Sequence, residues 1–306
     1  MSSGANLMRR RGGVSLIELL VVIAIISLVL AILLPSLSGA RQQSQSSLCL
    51  SRLRSLGAGW HMYADDNDDV SVPGKMANAG GGTGNPANWY EVGNGLRFRP
   101  PWAATMGRYV GTFAYLAPRT DVERQDYDDP SYFCPTVPDW VGDRNAAYGY
   151  NYQFLGNARK TAGKFHNFPV NRSSVFSFGS TVLAADSMGT SAGFPTSARQ
   201  NYDKRGSNYA AWGNHGWSLD PPRLTAQSDR GSGDAESPRT AVDPRHLAKV
   251  NTIFCDGHGE TLLPRKLGYR TNTDGSFRED GAGEDRPSNY HFSGTGRDEP
   301  PPPKPG

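Results

Sequence analysis

The sequence predicts an α+β protein in which a long N-terminal helix, first membrane-spanning and then spine-like, packs on a small antiparallel sheet within a loop-rich head. Three observations carry that expectation. Residues 14–34 are apolar except for one charge, Glu18. The stretch after Pro35 becomes amphipathic. Beyond residue 140, short strand-like runs alternate with polar loops, and 36 Gly and 22 Pro among 306 residues favour loops over further long helices.

The apolar run from Val14 to Leu34 holds 21 residues. At about 1.5 Å per residue it is roughly 31 Å long as a helix, enough to cross a bilayer. Arg9, Arg10 and Arg11 precede it and, by the positive-inside rule, keep the N-terminus cytoplasmic and send the chain beyond Leu34 across the membrane. No secretory cleavage site of small residues comes after the run, and "LVLAILLPSLSGARQQ" continues as helix-compatible sequence. The same three arginines account for the net charge of +3. With the remainder balanced and no basic stripe interleaved with aromatics, nucleic acid is not an expected partner.

Cys49, Leu53, Leu56, Trp60 and Tyr63, at steps of four and three, mark one core-packing face of a continuing helix. The helix is therefore assigned to residues 14–64, with the membrane span at 14–34 and an amphipathic spine at 35–64. Asp65, Asp66, Asp68 and Asp69 oppose the negative end of the helix dipole and stop it. "DDNDDVSVPGKM" fails as an EF-hand, with Val70 where glycine is required and Met76 where glutamate is required. The head is assigned to 65–266 and begins with a Gly/Asn-rich loop reaching about residue 105, which lacks a phosphate-binding fingerprint. Strands are expected in 146–154, 173–186 and 249–257, the last turning at Asp256-Gly257 and resuming near Thr261 as a hairpin. Residues 267–306 are expected to form a polar, Pro-rich flexible tail.

The three cysteines, Cys49, Cys134 and Cys255, lack Cys-x-x-Cys or zinc-finger spacing. Outside the cytosol one disulfide is permitted, and Cys49–Cys134, tying helix to head, is the pairing expected. The alternative is three buried thiols acting as small apolar residues. His246, at a strand entrance, is expected to bond a loop carbonyl or Asp186. Alternation would also make His246, Asp256, His258 and Glu260 ligand-capable, but the structural reading is preferred, and neither a metal nor a cofactor is expected. "GTSAG" at 189–193 satisfies G-x-S-x-G around Ser191. Three residues separate it from the apolar run ending at Ala185, and Pro195 spoils the following helix, so no nucleophile elbow and no catalytic residue is expected. No G-x-x-x-x-G-K-[ST] occurs.

"GGVSLIE" at 12–18 resembles the type IV prepilin and type II secretion pseudopilin signature: basic leader, Gly, apolar residue, Ser/Thr, Leu, Ile/Val, Glu. The resemblance implies a pilin-like fold and a leader, residues 1–13, removed by a prepilin peptidase that cuts after Gly13. It further implies methylation of the new N-terminus at Val14, an assembly role for Glu18 and a helix kink at Pro35. Cleavage creates a positive α-amine, which in a filament can meet Glu18 of a neighbouring subunit and neutralise an otherwise costly carboxylate. The implied partners are the peptidase, other pilin or pseudopilin subunits, the inner membrane before assembly and, indirectly, an assembly platform and ATPase.

A second resemblance lies in "RHLAKVNTIFCDGHGE". His246, Asp256 and Gly257 match the H-x9-D-G segment of prepilin-leader proteins abundant in planctomycete-type bacteria, and "YFCPT" and "VLAADS" resemble segments of the same group. The resulting expectation is a non-enzymatic, single-pass inner-membrane protein with an exported head that assembles into a type IV pilus-like fibre or a secretion pseudopilus. The alternative is a membrane-anchored surface protein that does not polymerise and whose head binds an extracellular ligand such as a glycan.

Overall fold

A computed structural model of the chain describes residues 15–74, 90–92, 96–98, 101–112, 127, 129–137, 147–156, 158–161, 164–167, 170–199, 215–226, 228–231 and 237–303. Its first element is helix α1, Leu16–Asp66, 51 residues long with Pro35 inside it. The chain divides into two compact units, residues 1–44 and 45–306.

From Leu16 on, the described residues of the first unit are helix. The apolar side chains there, among them Leu16, Leu20, Ile25, Leu30 and Leu34, are exposed. In water such a surface is unfavourable, whereas in lipid it is the matching surface. Among the described residues, α1 is the one helix long and apolar enough to cross a membrane. Ser27 satisfies its hydroxyl locally on the carbonyl of Ile23, at 2.7 Å. Pro35 has no amide hydrogen to offer the carbonyl of Ala31, four residues back.

The second unit is built on a sheet. Its strands and short helices are β1 (Tyr90–Val92), β2 (Leu96–Phe98), α2 (Trp102–Thr105), α3 (Gly107–Val110), β3 (Tyr148–Tyr150), β4 (Ala158–Thr161), β5 (Lys164–Asn167), β6 (Val182–Gly189), β7 (Ala241–Val242), β8 (Val250–Phe254) and β9 (Gly259–Leu262). The main sheet runs β3-β6-β8-β9, with β7 also on β6, and every pairing is antiparallel. β1 with β2 and β4 with β5 form separate hairpins.

Strands β6 and β8 are buried along their whole length. On one face, Ile253 and Cys255 join Leu183 and Ala184 in a core with Cys49, Leu53, Leu56 and Trp60 of α1. Gly57 makes this close approach possible, since a Cβ there would stand 2.4 Å from Ile253 Cδ1. The predicted helix face is therefore the buried one, Tyr63 being partly buried at its edge. On the opposite face, Val182, Met188, Val250 and Phe254 meet Leu267, Tyr269, Phe277 and Phe292.

That second layer corrects the expectation of a flexible tail. Leu267, Tyr269, Phe277 and Phe292 of the expected tail are buried, while residues 271–274 and 280–286 are exposed. A central strand pair that is apolar on both faces needs cover on both. Polar groups lock the segment as well: Asn289 donates to the carbonyls of Arg223 and Glu299, each at 2.9 Å, and accepts from the Arg223 amide at 2.8 Å. A buried acid that sequence reasoning passed over, Asp220, ties the same layer together. It accepts from Tyr152, Gln153 and the amides of Gly231 and Thr240 at 2.7–3.0 Å.

Other differences are local. The expected strand 146–154 is short and gives way to a wide helical turn at Tyr152–Gly156. The expected strand 173–186 starts only at Val182, because "RSSVFSFGS" forms two tight 3-10 turns. Ser174, Ser180 and Thr181 turn their hydroxyls onto backbone carbonyls three or four residues earlier, which competes with strand pairing. The acidic cluster ends α1 as expected, with Asp68 and Asp69 in the left-handed region. Its charges meet Arg172, which lies 2.7 Å from Asp65 and 2.9 Å from Asp69.

Candidate functional site

Residues 1–14, which include the expected leader with Gly13 and the expected mature start Val14, lie outside the described residues. The helix start just after them is described. The amide of Ser15 donates to Glu18 Oε2 at 2.7 Å, and the amide of Glu18 donates to Ser15 Oγ at 3.2 Å. This reciprocal pair is a capping box: it satisfies two amides that have no partner within the helix, and it places an acid in the first turn, where the dipole favours it. The S-x-x-E spacing was available in "SLIE" and went unread, because Glu18 was assigned only an intermolecular partner.

The H-x9-D-G segment is one strand held between two turns. His246 and Lys249 bond each other's backbone at 3.0–3.1 Å across Leu247 and Ala248, both at positive φ. That is a type I′ turn made without glycine or asparagine, a strained choice. Strand β8 follows, and Cys255-Asp256-Gly257 closes the hairpin to β9 with Gly257 at φ +89°. The nine-residue spacing is thus the length of β8 plus its connections.

His246 and Asp256 consequently face different surroundings, and the four-residue ligand set considered from alternation is divided. Asp256, His258 and Glu260 stay together at an exposed corner. There His258 Nδ1 lies 2.6 Å from Asp256 Oδ1, its Nε2 lies 3.6 Å from Glu260 Oε1, and its ring stacks on Phe254 at 4.4 Å. His246 turns inward to Asp186, as anticipated, at 3.4 Å.

Around that contact four segments converge. Cys49 comes from α1, Cys134 follows the turn Pro130–Tyr132, Asp186 lies on β6 and His246 precedes β8. Their ligand-capable atoms all lie within 4.8 Å of one another, and all four residues are buried. Cys49 Sγ donates to Asp186 Oδ1 at 3.2 Å, and Cys134 Sγ lies 3.3 Å from His246 Nε2. The two cysteines paired on sequence grounds are thus neighbours, present as free thiols, while Cys255 is buried elsewhere in the core.

Around these four, Tyr148 donates its hydroxyl to Cys49 Sγ at 3.5 Å, Thr136 Oγ1 lies 3.0 Å from Cys134 Sγ, and the Asn251 amide donates to Asp186 Oδ2 at 2.8 Å. Arg245, bonded to the carbonyl of Ser187 and paired with Asp243 at 3.0 Å, adds positive charge beside the cluster.

Burial is the largest single influence on each of the four groups, and at two of them the neighbours together outweigh it. It lifts the Asp186 carboxyl to about 7 despite Arg245. Burial, the contact with Cys134 and the Asp186 charge together push the Cys49 thiol up. Burial opposes charge on Cys134 too, but hydrogen bonds from Cys49 and His246 and the Arg245 charge outweigh it and pull that thiol far down. Burial lowers His246, yet Cys134 and Asp186 raise it by more. The neighbours thus shift Cys134 toward the thiolate and His246 toward the protonated ring.

Ser191 has no such activation. Strand β6 runs directly to Gly189, further than expected, and a 3-10 turn, Thr190–Gly193, follows at once. Ser191 is buried, and its hydroxyl donates to the carbonyl of Met188 at 2.7 Å.

No curated protein and no solved structure matches the chain. A family model does: residues 8–34 match the prokaryotic N-terminal methylation motif. That span takes in Arg9 to Arg11, Gly13, Val14, the Ser15–Glu18 cap and the apolar helix to Leu34. The chain therefore carries the N-terminal methylation motif of type IV pilin and pseudopilin precursors, on a helix long and apolar enough to cross a membrane, joined to an α+β head.

Proposed function

We propose that the chain is a structural filament subunit, of a type IV pilus-like fibre or a type II secretion pseudopilus, cut after Gly13 by a prepilin peptidase and methylated at Val14. The observation that carries this reading is the methylation-motif match at residues 8–34, with Glu18 in the first turn of a helix whose apolar side chains are exposed. Before assembly, residues 14–34 anchor the subunit in the inner membrane, N-terminus cytoplasmic and head exported. On assembly the helix moves into the filament core, with Pro35 as the point where it bends. Residues 35–64 are then the spine that carries the head.

Glu18 sets the register. Removal of the leader leaves an α-amine on Val14, one residue before the Ser15 cap. In the filament that amine meets the Glu18 of a neighbouring subunit, and the two charges cancel in surroundings where either alone is costly. The partners are then the peptidase, like subunits, and through them an assembly platform and its ATPase. The inward-turned Ser191 counts against a hydrolase nucleophile at the G-x-S-x-G segment.

The test is mass spectrometry of the mature N-terminus together with recovery of sheared filaments. The expected result is a methylated chain starting at Val14 and present in filaments. A chain that still carries residues 1–13, or that starts elsewhere, would overturn the reading.

A further inference from the structure

The Cys49, Cys134, Asp186 and His246 cluster presents more acceptor capacity than its own hydrogens can serve. His246 Nε2 faces both Cys134 Sγ, at 3.3 Å, and Asp186 Oδ2, at 3.4 Å. One ring nitrogen has one hydrogen or one lone pair, so it serves one of them well. The contacts of 3.2 Å from Cys49 to Asp186 Oδ1, 3.3 Å between Cys134 and His246, and 3.4 Å from His246 to Asp186 Oδ2 bring the donors near the spacing that a small cation would need. A tetrahedral zinc ion with sulfur at about 2.3 Å and nitrogen or oxygen at about 2.0–2.1 Å has ligand-to-ligand edges of roughly 3.3–3.8 Å. The four donor atoms lie within 4.8 Å of one another, so movements of up to about 1 Å would admit it.

We propose that Cys49, Cys134, Asp186 and His246 form a closed, four-coordinate structural site for a zinc-class divalent cation, fastening α1 to the sheet and to the H-x9-D-G segment. The donor set suits that class: two thiolates, one imidazole and one carboxylate, without the all-oxygen shell that calcium or magnesium requires. All four side chains are buried, so no position is left open to substrate, which is the mark of a structural site.

The surroundings are those of a metal centre. Each thiolate has its own hydroxyl neighbour, Tyr148 for Cys49 and Thr136 for Cys134, and the carboxylate is held by the Asn251 amide. Two thiolates and a carboxylate carry three negative charges. The cation and Arg245, shared with Asp243, offset them. The strained Leu247-Ala248 turn delivers His246 to the centre, a use of backbone strain common at functional sites. A Cys49–Cys134 disulfide would consume both thiolates, so bond and cation exclude each other.

The experiment uses the full-length chain, purified in detergent under reducing conditions and titrated with Co²⁺ as a spectroscopic stand-in for Zn²⁺. One equivalent should bind, with thiolate-to-cobalt charge-transfer bands and tetrahedral ligand-field bands, and Zn²⁺ should displace it. His246→Gln and Cys134→Ser should lose the spectrum. Tyr148→Phe, which keeps all four ligands, should weaken binding by about tenfold. Should the ligand variants fail to fold, the wild-type spectrum and the Tyr148→Phe affinity still decide. Absence of cobalt bands with both thiols reduced overturns the site, as does a spectrum unchanged in His246→Gln. So does native protein two hydrogens lighter, with Cys49 and Cys134 peptides linked.

Discussion

Ser15 and Glu18 cap the start of α1 reciprocally, amide to carboxylate at 2.7 Å and amide to hydroxyl at 3.2 Å. The pair separates two roles of Glu18, because glutamine caps a helix in the same position but carries no charge. Glu18→Gln should leave helix content and leader cleavage unchanged and abolish incorporation into filaments. Ser15→Ala should cost the helix about 1 kcal/mol and leave incorporation largely intact. Circular dichroism with a filament shear assay reads both, and filaments built normally from Glu18→Gln would remove the assembly role.

Gly57 and Ile253 make a second separable pair. A Cβ at Gly57 would overlap Ile253 Cδ1 at 2.4 Å but stand 3.3 Å from Cγ1. Gly57→Ala should destabilise by about 1–3 kcal/mol through overpacking, and Ile253→Val by about 1 kcal/mol through the lost methyl. Combined, they should cost less than the sum, since valine lacks the clashing atom and alanine favours helix. A strictly additive double mutant would mean that helix and sheet do not meet there.

Leu267, Tyr269, Phe277 and Phe292 should behave as core. Gly268 has φ +91°, and a Cβ there would come within 2.0 Å of Ser288 O. Gly268→Ala should therefore cost about 2–4 kcal/mol, and limited proteolysis of the wild type should spare this stretch. Rapid trimming back to residue 267 would restore the flexible-tail expectation.

The turn at Leu247-Ala248 should be improvable. Both residues hold positive φ, where asparagine and glycine are at ease. Leu247→Asn with Ala248→Gly should stabilise the head by about 1 kcal/mol per position, raising the melting temperature by roughly 2–4 °C for each. A fall in melting temperature would show that Leu247 packs on something that compensates.

Asp69 should sharpen acid unfolding. The hydroxyl and amide of Ser173, with Arg172 beside them, hold its carboxyl below the ordinary carboxylate range although burial opposes them. A carboxylate depressed in the folded state adds stability above its unfolded value and loses it as pH falls through the folded value. The contribution should thus be full at neutral pH and fade below about pH 4. Asp69→Asn should flatten that acid limb, and an unaltered limb would assign it to other groups.

The long helix, its buried face and the β8–β9 hairpin were legible because each follows from local periodicity or turn chemistry: Cys49 to Trp60 at helical steps, Asp256-Gly257 at a tight turn. Cys49 and Cys134 were expected as a disulfide and stand as neighbouring free thiols. Asp186 was one of two partners expected for His246, but the convergence of all four at one point was not foreseen. Residues 46 and 251 meet across the fold, with Asn251 donating to Ser46 O at 2.9 Å, and no local pattern encodes that. Asp220 was illegible for the same reason: its partners come from 152, 153, 231 and 240. The C-terminal layer was misread because polar and glycine-rich composition describes its surface, whereas Tyr269, Phe277 and Phe292, thinly spaced, do the packing.

Covering β6 and β8 from both ends of the sequence imposes an order in time. The helix face is synthesised first, and the strands can pair once β9 is made, but the second face stays wet until Phe292 has been made. Folding of the head therefore rests on contacts far apart in sequence, which close slowly, and every unfinished chain displays an apolar sheet that proteases and chaperones can recognise.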